Sequence, residues 1–167
     1  FRNVVSKINS GVIVFGLVRV LGTGGVLPAH AQQFPAFRQA LAEGASFDSG
    51  VSAFYRDRDF APLWTGAEHA SRRAALVNAL SRAADHGLPA ARYDLDGLLA
   101  AFEAVESECD RALLEARITR VFLSFATDLT SGVLDPRRID RNIVRELPRP
   151  DPETLLRAFE QAQPAAF

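Results

Sequence analysis

The sequence predicts an all-α fold, a single small domain of about six helices around one long central helix, preceded by a signal peptide. Three observations carry that expectation. Between residues 108 and 131, Leu114, Ile118, Val121, Phe122, Phe125 and Leu129 recur at spacings of three and four, the period of one helix face. Gly44, Gly87 and Gly132 each follow an apolar periodic segment, where glycine ends a helix. Finally, no convincing strand is longer than the segment from Phe60 to Trp64.

Composition bounds the function. With 167 residues, of which 48% are hydrophobic, the chain can bury one core. Residues 1–31 carry three of the 19 cations and none of the 20 acids, so the rest holds 16 basic against 20 acidic residues, or −4. A mildly acidic surface argues against nucleic acid as a partner. The single cysteine, Cys109, excludes an internal disulfide and any multi-cysteine metal site.

The first 31 residues read as a secretory signal. Arg2 and Lys7 precede an apolar run from Gly11 to Val18, Arg19 interrupts it, and Ala29-His30-Ala31 supplies a small-x-small cleavage pattern, placing the cut before Gln32. Neither apolar run approaches the ~20 residues of a membrane span, so no stable span is expected. An uncleaved amphipathic anchor and a disordered tail are the alternatives. Residues 32–167 form the helical domain, and the apolar end Pro164-Ala165-Ala166-Phe167 reads as a cut rather than a finish.

Within that domain, a first helix from Phe34 to Glu43 sets Phe34, Phe37 and Leu41 on one face and stops at Gly44. Ser46 or Asp48 caps a second, in which Val51, Phe54 and Tyr55 face inward and Arg56, Asp57, Arg58 and Asp59 face water. Pro62 pushes Ala61 out of the helical region, so Phe60, Leu63 and the only tryptophan, Trp64, leave in an extended segment. A third helix over residues 68–85 points Val77, Leu80 and Ala84 inward and Arg72, Arg73 and Arg82 outward. Gly87 in the left-handed conformation ends it, with Leu88 folded onto Ala83 and His86 acting as a cap residue. Asp94 caps a fourth helix that begins with a staple of Tyr93 onto Leu98 and continues through Leu99, Phe102 and Val105. Ser107-Glu108-Cys109-Asp110 resembles a capping box that opens the central helix, roughly 35 Å long. Its other face carries Ser124, Thr127, Asp128 and Ser131, either a polar groove wall or an ordinary solvated face. Beyond Gly132, Arg137, Arg138, Arg141 and Arg145 either hold carboxylates of a peptide or domain, or are neutralised by Asp135, Asp140 and Glu146. Asp151 caps the last helix, with Pro152 in its first turn and Leu155, Leu156 and Phe159 inside.

Two motifs carry a resemblance. F-Y-x-x-R-D-F-A-P-L-W from Phe54 to Trp64 and A-D-H-G-L-P-A-x-x-Y from Ala84 to Tyr93 resemble the opening of the large bacterial murein L,D-transpeptidases. The likeness extends through F-L-S-F-A-T-D-L-T-S-G (Phe122 to Gly132) to L-L-R-A-F-E (Leu155 to Glu160). It implies a helical scaffold domain of a secreted, periplasmic enzyme whose catalytic and glycan-binding domains lie downstream. It further implies a part in cell-wall cross-linking, with peptidoglycan stem peptides reached through the parent enzyme. The motif residues Phe54, Tyr55, Trp64, Gly87, Phe122 and Phe125 are packing and turn residues. Candidate binding residues are Arg137, Arg138, Arg141 and Asp128.

No catalytic residue is expected in this chain. The family's nucleophile sits in a Ser-His-Gly-Cys-[Ile/Val]-Arg context, whereas Cys109 lies between Glu108 and Asp110, which disfavour a thiolate. No cofactor or metal is expected. A free-standing periplasmic helical binding or adaptor module is the alternative reading.

Overall fold

The structure is a computed structural model that describes residues 29–133 and 149–162; the expected signal segment up to residue 28 and Arg137, Arg138 and Arg141 lie outside those residues. It is all-α, a single small domain with no strand among the described residues. The described helices are α1 (Ala29–Gly44), α2 (Ser49–Asp57), α3 (Ala70–Ser81), α4 (Leu95–Glu103), α5 (Glu108–Ser131) and α6 (Pro152–Gln161), with short turns and 3-10 segments joining α1 through to α5. Helix α5 is the spine: α1 packs along it most extensively, α4 and α6 pack on it too, and α2 lies against α6.

The helix boundaries follow from local chemistry. Asp48, not Ser46, caps α2, its carboxylate accepting from the N–H groups of Gly50 at 2.8 Å and Val51 at 3.1 Å. Ser107 and Asp110 form the expected reciprocal capping box at the start of α5. Asp151 accepts from the Thr154 N–H at 2.9 Å, with Pro152 in the first turn of α6. At the end of the third helical segment Gly87 adopts φ 72°, the Leu88 N–H donates to Ala83 O and the Gly87 N–H to Ala84 O, which satisfies the last carbonyls as a Schellman cap does.

Helix α1 begins at Ala29, earlier than the expected Phe34, so the anticipated cut before Gln32 falls inside its first turn. Phe37 and Leu41 are buried against α5. At Gly44 the two helices approach so closely that a Cβ would stand 2.9 Å from the Ala116 Cβ. Glycine there serves close packing as well as termination.

Three sequence expectations are corrected. The helix expected over residues 68–85 is broken into a 3-10 turn (Ala67–His69), α3, and a second 3-10 turn (Ala83–His86). Because 3-10 structure repeats every three residues, Ala83 follows Leu80 inward; Leu76, Leu80 and Ala83 are buried, Val77 is half-buried and Ala84 is exposed. The α5 stripe turns out of the core at its end, leaving Leu129 46% exposed, and Leu99 on α4 is likewise exposed. Finally, Arg58, Arg72 and Arg73 do not face open water; all three reach back to the segment after α2.

Candidate functional site

The segment from Asp59 to Gly66 is irregular backbone held by side chains from the C-cap of α2, from α3 and from α5. It leaves α2 through Asp59 (φ 53°) and Phe60 (φ 59°), two non-glycine residues in the left-handed region, where the Phe60 N–H donates to Tyr55 O at 2.8 Å. The side chains that follow, Leu63 and Trp64, are completely buried. Trp64 stacks at 4.7 Å on Phe159 of α6 and 5.4 Å from Phe122 of α5, and these two rings are 4.4 Å apart.

A buried backbone must find partners for its polar groups. Here they come from Glu115 on α5, a residue with no solvent exposure. Its Oε1 accepts from the N–H groups of Leu63 (2.6 Å) and Trp64 (3.1 Å) and from the Tyr55 hydroxyl (2.9 Å). Oε2 accepts from the Thr65 N–H and hydroxyl, both at 2.8 Å. One turn along α5, Thr119 Oγ1 accepts the indole N–H of Trp64 at 3.0 Å and lies 2.6 Å from the Tyr55 hydroxyl.

Arginines take the carbonyls. Arg58 donates to Pro62 O (3.1 Å), Arg72 to Leu63 O (3.1 Å) and Glu160 O (3.3 Å), and Arg73 to Gly66 O (2.7 Å) and to Trp64 O. Arg58 also pairs with Glu160. Burial pulls the Arg58 and Arg72 guanidinium groups below their ordinary value, while the nearby Glu115 carboxylate opposes the shift. Desolvation, with the Glu115 charge adding to it, pushes the Tyr55 phenol well above 10, so the hydroxyl stays protonated and serves as donor. This is an anchor: among the described residues every buried side-chain nitrogen and oxygen has a hydrogen-bond partner.

One concavity lies beside it, and another lies toward the C-terminal end of α5. The larger, about 760 Å³, has an apolar floor of Phe37, Phe60 and Pro62 and is rimmed by Arg38, Arg58 and Arg111, with Asp59 and Glu68 also on the rim. The Arg111 guanidinium lies 4.2 Å from the Phe37 ring centre and that of Arg38 5.4 Å from Phe60. The smaller, about 280 Å³, is lined by Ser124, Thr127 and Asp128 of α5 together with Arg92 and Arg149. Of the four residues expected on a groove wall or plain solvated face, Ser124, Thr127 and Asp128 thus line a small pocket and Ser131 does not. Within it Asp128 is buried, accepts the Tyr93 hydroxyl at 3.0 Å and pairs with Arg92 at 2.8 Å.

A family model described as Scaffold domain matches residues 49–167. The chain belongs to the Scaffold domain family. No curated protein and no solved structure matches it. The match takes in α2 to α6 and the whole anchor, while α1 lies outside it. Of the packing residues singled out in the sequence, Phe54, Tyr55, Trp64, Phe122 and Phe125 are all buried, and Gly87 holds the left-handed cap. The structure gathers Tyr55, Trp64 and Phe122 around Glu115 and Thr119, the two residues that sequence reasoning missed. Their signal was present: Glu115, Thr119 and Phe122 lie at spacings of four and three, on a helix face otherwise apolar. Cys109 is exposed in the first turn of α5. Among the described residues, no group of three or more His, Cys, Asp or Glu side chains is placed to hold a metal, and no helix is long and apolar enough to cross a membrane.

Proposed function

We propose that this chain is the scaffold domain of a secreted, periplasmic peptidoglycan L,D-transpeptidase. In this reading the domain does no chemistry. It holds the catalytic and glycan-binding domains of its parent protein in place while a downstream cysteine transfers acyl groups between stem peptides. The observation that carries the reading is the family match over residues 49–167, which includes both motifs that resemble these enzymes. The anchor fits it: the first motif is the segment whose amides are held by Glu115 and whose carbonyls are held by three arginines, a use of polar groups that yields rigidity rather than reactivity.

The test has two parts. Reading the gene beyond residue 167 should reveal a cysteine–histidine catalytic domain. Cells producing the full-length protein should then show additional L,D cross-links by mass spectrometry of muramidase-digested wall, and Trp64→Ala should lower that yield along with the protein's stability. A gene that encodes no such domain, or cross-linking unchanged by deletion of residues 49–162, would reject the parent enzyme and favour a free-standing binding module.

A further inference from the structure

We propose that the groove between α1, the anchored segment and the start of α5 binds a short peptide that carries free carboxylates and an apolar residue. In its floor, half-buried Phe60 and Pro62 and exposed Ala61 offer apolar surface, with Phe37 buried behind the Arg111 guanidinium, at a volume ordinary for a ligand site. Above it, Arg38 and Arg111 lie over the rings of Phe60 and Phe37. A guanidinium that stacks through its face keeps its edge for hydrogen bonding, which suits bidentate capture of a carboxylate. Arg38 pairs with Asp59 through Nη2 alone, and Arg111 with Glu108 through Nε and Nη2. Among the described residues nothing takes the Nη1 donors of either. Both side chains are partly exposed, at 53% and 31%, and the ion pairs they make are of the exchangeable surface kind. Arg58 differs: its donors go to Ala61 O, Pro62 O and Glu160, so it belongs to the anchor and fixes the floor.

The groove's construction supports a ligand of this kind. Phe60 is held at positive φ directly beyond α2, and the backbone that follows is tied to Glu115, so the floor is preformed and little ordering is needed on binding. Taking the peptide from the cell wall rests on the proposed function; the carboxylate and the apolar contact rest on the groove alone.

The test is an NMR titration of the labelled chain with the disaccharide tetrapeptide released from peptidoglycan by muramidase. The amide signals of Phe60, Thr65, Gly66 and Ala67 should move. Methyl esterification of the peptide's carboxylates, or Arg111→Gln in the protein, should each weaken Kd by about tenfold or more, the loss expected for a hydrogen bond between charged groups. The disaccharide without its peptide should leave the signals in place. Equal binding of the esterified peptide, the same shifts with the bare disaccharide, shifts that follow protein concentration without peptide and so report a second copy of the chain, or no shift at all would each overturn the proposal. Should Arg111→Gln fail to fold, the esterified probe decides the matter on the unaltered chain. Failure here would leave the cross-linking experiment on the full-length protein unaffected, and the titration stays readable whatever that experiment gives.

Discussion

Replacing Glu115 with glutamine changes almost nothing in size and removes the charge on which the anchor is built. The side-chain oxygens accept five donors, three of them backbone N–H groups of Leu63, Trp64 and Thr65. An amide keeps one acceptor and presents an NH2 group on the other side. The hydroxyls of Tyr55 and Thr65 can rotate to accept from that group; a backbone N–H cannot. The better orientation puts the nitrogen where Oε2 stands, which sacrifices the Thr65 N–H and keeps Leu63 and Trp64 on a neutral oxygen. One orphaned donor costs about 1–3 kcal/mol, and the surviving bonds lose the strength that a charged acceptor gave them. Together these amount to ~3–5 kcal/mol, the range measured when one member of a buried charged arrangement is removed. Glu115→Gln should therefore lower the Tm by about 10 °C or more in a domain of this size, with a matching fall in the urea midpoint. Trp64 fluorescence should report the loosening before global unfolding. A loss of less than about 3 °C, with fluorescence unchanged, would refute the reasoning, because the segment would then be held by Trp64 packing alone.

Other outcomes follow from the same geometry. Phe122→Ala should cost ~3–5 kcal/mol by chemical denaturation, whereas Leu129→Ala, on the same predicted stripe but 46% exposed, should cost under about 1 kcal/mol; equal losses would mean that α5 is buried to its end. Gly87→Ala should destabilise by ~1 kcal/mol through backbone strain, since nothing lies within 4 Å of an added Cβ at φ 72°. Tyr93 is raised to about 12, by burial first and by its hydrogen bond to Asp128 second. A folded-state value above the unfolded one means that the unfolded chain loses the proton first, so stability should hold below pH 10 and fall between pH 10 and about 12. Tyr93→Phe should flatten part of that decline, and a profile identical to the parent's would place the proton loss elsewhere.

What the sequence made legible was local. Asp94, Ser107, Asp110, Asp151 and Gly87 act within one helical turn, so their roles depend only on near neighbours and emerge as expected. The buried faces of α2 and α6 were legible for the same reason. Glu115 was not, because its partners stand 50 or more positions earlier, and nothing in the sequence around a glutamate says that a distant backbone will need its oxygens. Arg72 and Arg73 were misassigned to solvent on the same ground. Helical spacing says which face a residue occupies and not what will pack there. The register of α3 was lost at Arg82, where the tightening to a 3-10 turn moves the inward position from Ala84 to Ala83, a shift that alanine spacing alone cannot announce.

The sequence separation that hid Glu115 also sets when the anchor can form. Tyr55, Leu63, Trp64 and Thr65 must wait for a carboxylate that arrives only when α5 has docked, so closing this loop requires the chain between them to be ordered first. Local caps such as Ser107 with Asp110 carry no such delay. The amide protons of Leu63, Trp64 and Thr65, although they belong to no helix, are thereby tied to the opening of the whole core. They should exchange with solvent as slowly as those in the middle of α5, making an irregular segment one of the last parts of the molecule to open.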